Sequence, residues 1–295
     1  MENEYKKAGK ISADALNFAC KMTKVGASVY EIAEKTEGFI IKQNAGIAFP
    51  LNISINNQAA HYSPSKGDEL VLTEKDVVKV DIGAHVNGFI GDNARTIDLT
   101  EENGKLVEAS KAALENALSV AKAGINTILM SKEIQNTIKS YGFKPIRNLS
   151  GHQLGQYELH AGGSVANAYP TQGFVLEEGM AVAVEPFAST GNGEVSDDVR
   201  TEIFSVERVP LTRSPRAREI FNYAKENFNT LPFAERWIMK KFTDDFSTRL
   251  ALRELVKTGG FRAYPILKDV KGSLVSQAEH TILITEDSCE ITTAI

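Results

Sequence analysis

Four carboxylates and one imidazole stand in separate, recognisable settings along the chain: Asp81 in Val80-Asp81-Ile82-Gly83, Asp92 in Phe89-Ile90-Gly91-Asp92, His152 after Ser150-Gly151, Glu185 in Val184-Glu185-Pro186-Phe187, and Glu279 in Gln277-Ala278-Glu279-His280. Oxygen-rich donors with one imidazole and no thiolate form a hard, anionic set suited to divalent cations. Two such cations sharing bridging oxygens turn water into hydroxide near neutral pH. The set therefore predicts hydrolytic chemistry on two divalent ions.

Each residue also has a plainer reading. Asp81 could shape a turn before Gly83, and Asp92 could be an exposed hairpin residue. Glu185 and Glu279 are harder to dismiss, because each follows or interrupts an apolar strand where a bare carboxylate is costly to bury. Acids directed into one interior repel each other unless cations intervene, and few Lys or Arg stand nearby to neutralise them. Among the histidines, His152 is expected to project from a loop as the imidazole ligand. His61 and His160 have small neighbours (Ala59-Ala60; Ala161-Gly162-Gly163) that leave room for a substrate backbone. His85 and His280 read as structural, His280 because adjacent strand residues face opposite sides.

The elements that must position these groups follow from periodicity. Residues 4–24 and 28–44 read as amphipathic helices, the second with Val29, Ile32, Ala33, Phe39 and Ile40 on one side and Ser28 as its cap. Val77 to Ile82 reads as a buried strand, and 85–99 as a hairpin turning at Asn87-Gly88. Helices are expected at 102–122 and 130–141, strands at 145–149 and 180–187. Residues 213–228, 233–242 and 246–257 are helical by period, with Gly259-Gly260 stopping the last. Strand pattern returns at 264–267, 273–277, 281–285 and 289–295.

Two stretches echo each other at an offset of about a hundred residues. Lys24-Val25-Gly26 matches Lys122-Ala123-Gly124, His61 matches His160, and the segment leading to Val80-Asp81 matches the one leading to Val184-Glu185. An αβ duplication would put Asp81 and Glu185 on equivalent strands facing one cleft, flanked by His61 and His160.

The 295 residues are 42% hydrophobic and 24% charged with net charge -5, an acidic balance that argues against a nucleic-acid binder. No apolar run reaches the ~20 residues of a membrane span, and the first residues lack a signal-peptide order. Cys20 and Cys289 read as two buried free thiols, so a reducing cytoplasm is the expected setting.

The chain resembles the type II methionine aminopeptidases, of the short archaeal form, within the pita-bread (M24) metallopeptidase superfamily that also holds prolidases. The likeness covers the whole chain and rests on Ala48-Phe49-Pro50, Ala60-His61-Tyr62, the five settings above, Leu159-His160-Ala161-Gly162, Thr230-Leu231-Pro232-Phe233 and Arg236-Trp237. It implies an α+β pita-bread fold with a pseudo-two-fold duplication: a catalytic domain of residues 1–204 plus 263–295, and a helical type II insertion at 205–262. It also implies removal of the initiator methionine when the next residue is small. Asp81 would hold one metal, His152 and Glu185 the other, with Asp92 and Glu279 bridging; Co, Mn, Fe and Zn all suit such a site. Glu185 would relay the proton, His160 would stabilise the oxyanion, and His61 would contact the scissile amide nitrogen or the next carbonyl. Phe49, Leu159, Ile203, Pro232, Phe233 and Tyr264 would line the methionine slot. The expected partner is the N-terminus of a peptide or nascent chain, with the ribosome a further candidate; no membrane and no specific nucleic acid is expected, and the chain is expected to act as a monomer. The pattern departs from the family at Ala278, where an aromatic residue is common, and at Asn93 and Arg95. An Xaa-Pro dipeptidase and a non-enzymatic binding protein of the same fold are the rival readings.

Overall fold

The computed structural model describes residues 1–170 and 172–294. In chain order the elements are helices α1 (Glu2–Met22) and α2 (Val29–Lys42), strands β1 (Gly46–Ile55), β2 (Gln58–Ala60), β3 (Val77–Val86) and β4 (Phe89–Asp98), helices α3 (Gly104–Ser119) and α4 (Ile128–Ser140). Strands β5 (Lys144–Pro145), β6 (Ser150–Leu154), β7 (Ser164–Ala166), β8 (Ala181–Val184), β9 (Phe187–Ser189) and β10 (Ser196–Val206) follow, then helix α5 (Pro215–Phe228) and strand β11 (Phe233–Ala234). Helices α6 (Glu235–Lys241) and α7 (Asp245–Lys257) and strands β12 (Phe261–Lys268), β13 (Val275–Ile284) and β14 (Cys289–Ile291) complete the chain.

The main sheet runs β1-β3-β4-β13-β8-β6-β7. Its two central strands, β4 and β13, pair through Ala278↔Arg95 and Glu279↔Ala94. On one side α1 and α2 bury Leu16, Ile32 and Ile40 against Leu51, Ile53, Val78, Val80 and Ile82. On the other, α3 and α4 bury Leu106, Leu114, Ile134 and Ile138 against Val182, Val184 and Ile282. Two αα–ββ halves thus abut at β4 and β13. Each fully buried Leu or Ile contributes ~1.5–3 kcal/mol, so the helices are fixed mainly by these faces.

Local chemistry agrees with the elements. The Ser28 side chain accepts from Glu31 N and starts α2. The β3–β4 turn has positive φ at both Asn87 (53°) and Gly88 (86°), as a two-residue hairpin of the primed type requires. The hairpin is longer than its sequence pattern suggested, pairing from Val77↔Asp98 to Val86↔Phe89.

A second sheet, β11-β10-β12-β2, lies beside the first. The chain leaves it at Val206 and returns at the paired Phe261, having built α5, α6 and α7 over the far face of β10. Arg236 of α6 is fully buried and pairs with Glu34 and Glu37 of α2 while donating to Ser63 Oγ, so the helical block is tied to the first half.

Several expectations are corrected. The strand expected at 145–149 is only Lys144–Pro145, and a strand unmarked by the sequence pattern, β6, covers 150–154. The separate strands expected at 273–277 and 281–285 are one continuous strand, β13. Cys20 and Cys289 are free but only half-buried. The strand expected at 289–295 ends at Ile291, and Ile295 lies outside the described residues. No helix among the described residues is long and apolar enough to cross a membrane.

Candidate active site

All five acid and imidazole candidates meet in one cavity, which is also lined by Phe49, Asn52, Ala60, His61, Leu159, His160, Ile203, Pro232 and Tyr264. Strands β3 and β4 bring Asp81 and Asp92, β13 brings Glu279, β6 brings His152, and the break between β8 and β9 presents Glu185. His152 therefore sits in a paired strand (His152↔Ala183) and is 8% exposed, not on the loop its Ser-Gly approach suggested. Gly151 makes this possible: a Cβ there would come within 2.3 Å of the Ala183 carbonyl oxygen.

The donor atoms are close without being bonded to one another. His152 Nε2 stands 3.8 Å from Asp92 Oδ2 and 3.9 Å from Glu185 Oε1. Asp92, His152 and Glu279 each place a ligand atom within 4.8 Å of the others. The Gln277 side-chain nitrogen lies 3.4 Å from Asp81 Oδ2, 3.4 Å from Glu185 Oε2 and 3.3 Å from Glu279 Oε2, and so gathers three carboxylates. Asp81 Oδ1 and Asp92 Oδ1 are shut off from solvent with no hydrogen-bond partner.

The electrostatics follow from this crowding. Burial pushes Asp81 up to about 7. Burial and then the neighbouring carboxylates hold Asp92, Glu185 and Glu279 well above the usual carboxylate range. Burial and the nearby His160 push His152 down to about 3, so its imidazole is neutral and able to coordinate. Four destabilised carboxylates, two orphaned oxygens and a neutral imidazole fit divalent cations, which supply the missing positive charge and the missing partners. Lys79, two residues from Asp81 on the same strand, does not supply that charge. It is buried, its Nζ donates to the carbonyls of Asn56 and Val275, and burial pushes it down to about 7.

Backbone geometry also marks His61, whose φ is +68°, a conformation rare for a side-chain-bearing residue and found where the surroundings impose it. Its Nδ1 lies 3.1 Å from the Pro265 carbonyl. A carbonyl only accepts, so Nδ1 carries the proton and Nε2 is left as a bare acceptor. Burial lowers the pKa of His61 and keeps it neutral. His160 lies at the exposed mouth, its ring centroid 4.3 Å from that of His152. The protein packed around it, and then His61 and Arg262, hold it below the usual imidazole value.

Phe49, Leu159, Ile203, Pro232 and Tyr264 form an apolar wall of the cavity. Phe233 does not join them. It pairs with Phe204 rather than Ile203, and is buried against Phe228 and Phe261 on the other side of the second sheet. Asn52, Ala60 and Gln277 were missed as site residues. Gln277 carried a usable signal, because two positions before Glu279 on a strand is the same face. The departures at Asn93 and Arg95 face away, toward Ser12 and Asn17 of α1, and Ala278 packs into the core beside α3 and α4.

A mixed α+β pita-bread fold with a buried Asp/His/Glu centre defines a metallopeptidase that binds divalent metal. The chain matches the model of metallopeptidase family M24 over residues 3–286 and belongs to that family. It is similar to the methionine aminopeptidase of Archaeoglobus fulgidus, 46% identical over 286 residues, 97% of this chain and 96% of that one. Identity to the methionine aminopeptidase of Pyrococcus horikoshii is 43% over 287 residues, 97% of each chain. Among solved structures, methionine aminopeptidase of Thermotoga maritima aligns with a TM-score of 0.72 at 28% identity, covering 100% of this chain and 98% of that one. A thermophilic Arx1 aligns with a TM-score of 0.87 at 20% identity, covering 98% and 90%, which is a likeness of fold alone.

Proposed function

We propose that this chain removes the N-terminal methionine from polypeptides whose second residue is small. It would hydrolyse the first peptide bond with two divalent cations held by Asp81, Asp92, His152, Glu185 and Glu279. The observation that carries this reading is the convergence of those five side chains beside a small apolar slot, on a chain closely similar to methionine aminopeptidases. Asp81 on one side, and His152 with Glu185 on the other, would each hold one ion, with Asp92 and Glu279 between them. When bound, such a pair supplies a hydroxide at neutral pH and polarises the carbonyl.

The protein's own groups would do the rest. The methionine side chain enters the slot formed by Phe49, Leu159, Ile203, Pro232 and Tyr264. His61, with only a lone pair at Nε2, accepts from the scissile amide N–H rather than contacting a carbonyl. His160 donates its ring N–H toward the developing oxyanion. Glu185 takes the proton released at the attack and returns it to the leaving amine. Residues 205–262 act as an inserted helical subdomain on a catalytic domain of 1–204 and 263–295, and contribute Pro232 to the slot. Because one methylene is discriminated by only ~1–3 kcal/mol, N-terminal norleucine is cleaved as well, whereas N-terminal Lys or Asp is not.

The test is methionine release from Met-Ala-Ser by metal-stripped protein, with Mn, Fe, Co and Zn restored singly, beside an Ala-Pro peptide. Metal-dependent release from Met-Ala-Ser is expected. Preference for Ala-Pro, or release indifferent to metal, would overturn the reading.

A further inference from the structure

Arg262 is exposed and packs against Tyr264, a residue of the cavity wall, and none of the residues described above accounts for its charge. It lies two positions before Tyr264 on β12, and therefore on the same face; the register pairs Tyr264 with Ile203 and Arg262 with Ser205. Tyr264 and Ile203 line the slot, which puts Arg262 further along the same wall, where its side chain is exposed. Its position is held. The guanidinium carbon lies 5.5 Å from the centre of the Tyr264 ring, and that ring meets His61 edge-on at 5.8 Å. The Tyr264 hydroxyl is in turn fixed 3.1 Å from Ser205 Oγ. Other arginines of the chain (Arg147, Arg200, Arg216, Arg236 and Arg249) are ion-paired, but Arg262 has no carboxylate partner among the described residues.

Two charges on this sheet act on the histidines. Asp197, paired with Leu267 at the far end of β12, is felt at His61. Arg262 is felt at both His61 and His160. With methionine in the slot, the exposed guanidinium offers a positive charge to the chain beyond the scissile bond, on the wall that carries Tyr264. A planar, permanently charged fork without a partner is suited to a carboxylate.

We infer that Arg262 reads the charge of the substrate just beyond the cleaved bond and favours a carboxylate at the third or fourth residue. The inference rests on the aminopeptidase reading above. A free C-terminal carboxylate on a short peptide has the same chemistry as an acidic side chain, so the test separates the two.

The metal-loaded enzyme is assayed on C-terminally amidated Met-Ala-Asp-Ser, Met-Ala-Lys-Ser and Met-Ala-Ser-Asp, and on Met-Ala-Ser-Ser as amide and as free acid. The readout is a ratio of kcat/KM between two peptides on one enzyme, so a variant that folds less well leaves it intact. The wild type is expected to prefer Asp over Lys by about three- to tenfold at low salt, with the preference shrinking as salt rises. The ratio falls to about one in Arg262→Gln and inverts in Arg262→Glu, as expected for an exposed pair. A preference for free acid over amide that Arg262→Gln removes, with no Asp effect, assigns the subsite to chain termini and overturns side-chain reading. A wild-type ratio near one, or an unchanged ratio in Arg262→Gln, overturns the inference while leaving the aminopeptidase reading intact. Failure to release methionine from any peptide overturns both.

Discussion

The Thr281 hydroxyl holds Asp92 at both ends of its backbone: it accepts from Asp92 N and donates to Asp92 O, each at 2.8 Å. Across the same seam, the Thr96 hydroxyl accepts from Gln277 N at 2.8 Å and donates to Gln277 O at 2.7 Å. The two central strands pair directly over only Ala94/Glu279 and Arg95/Ala278. Beyond that short ladder, two threonine side chains take over as the backbone partners. The pair of clasps sets the depth at which Asp92, Gln277 and Glu279 enter the centre.

Thr281→Val keeps the volume but leaves the Asp92 N–H and carbonyl buried without partners, a cost of ~1–3 kcal/mol per group. The expected result is lower thermal stability together with weaker metal binding, both recovered in Thr281→Ser. Denaturation and metal titration of the three proteins check this. Loss of stability with unchanged metal affinity would separate the clasp from the centre.

Gln277→Leu removes the amide that gathers Asp81, Glu185 and Glu279. Groups that orient metal ligands contribute about 10- to 100-fold in affinity. Competition with a chelator should show a loss of that size. A smaller effect would mean that the strands alone hold the carboxylates.

These groups show how far the sequence could be read. Glu185 and Glu279 stand out in the sequence because a carboxylate beside an apolar run demands an explanation, whereas Asp81 and Asp92, taken singly, also fit a turn and an exposed hairpin position. The Asn87-Gly88 turn and the Ser28 cap were legible because their chemistry is local. The strand carrying His152 was not: Ser150-Gly151-His152-Gln153-Leu154 has neither alternation nor β-branched residues, and its pairing depends on a close approach at Gly151. Strand β13 read as two pieces because Gln277, Glu279 and His280 look like a polar break, although Gln277 and Glu279 are buried to face the centre. Phe233 entered the slot through the resemblance alone, within a segment that reads as helical over 233–242; in the structure it opens the two-residue strand β11 and packs into the core under the helical block.

In metal-free protein the acids should make stability depend on pH with a definite sign. Asp81 is pushed from its ordinary 3.8 to about 7 in the folded state. Folded protein therefore binds more protons than unfolded between those values, and this contribution to stability falls as pH rises from about 4 to 7. His152, pushed down to about 3, acts oppositely up to its ordinary value of 6.5. The informative quantity is thus the difference between wild type and Asp81→Asn. Without metal, wild type should lose stability relative to the variant across that window; added metal, which binds the intact ligand set more tightly, should then stabilise wild type more than the variant. A difference independent of pH would contradict the assignment.

Arg236 is fully buried between Glu34, Glu37 and Ser63. Arg236→Met leaves the 4%-exposed Glu37 without its cation, although Trp237 Nε1 still donates to it at 2.9 Å. Breaking one side of a buried pair costs about 3–5 kcal/mol. Urea denaturation should show that loss, and the double variant Arg236→Met with Glu37→Gln should recover part of it.

His152 Nε2 and Asp92 Oδ2 are 3.8 Å apart, too far for a hydrogen bond, and a neutral imidazole forms no ion pair with the carboxylate. Two ligands sharing one cation at ~2.1 Å each stand ~3–4 Å apart. Anomalous diffraction from crystals of the metal-loaded protein tests this most directly. The account predicts two peaks ~3.5–4 Å apart, enclosed by Asp81, Asp92, His152, Glu185 and Glu279. No peak within that ring at saturating metal, or peaks bound only elsewhere on the surface, would contradict it.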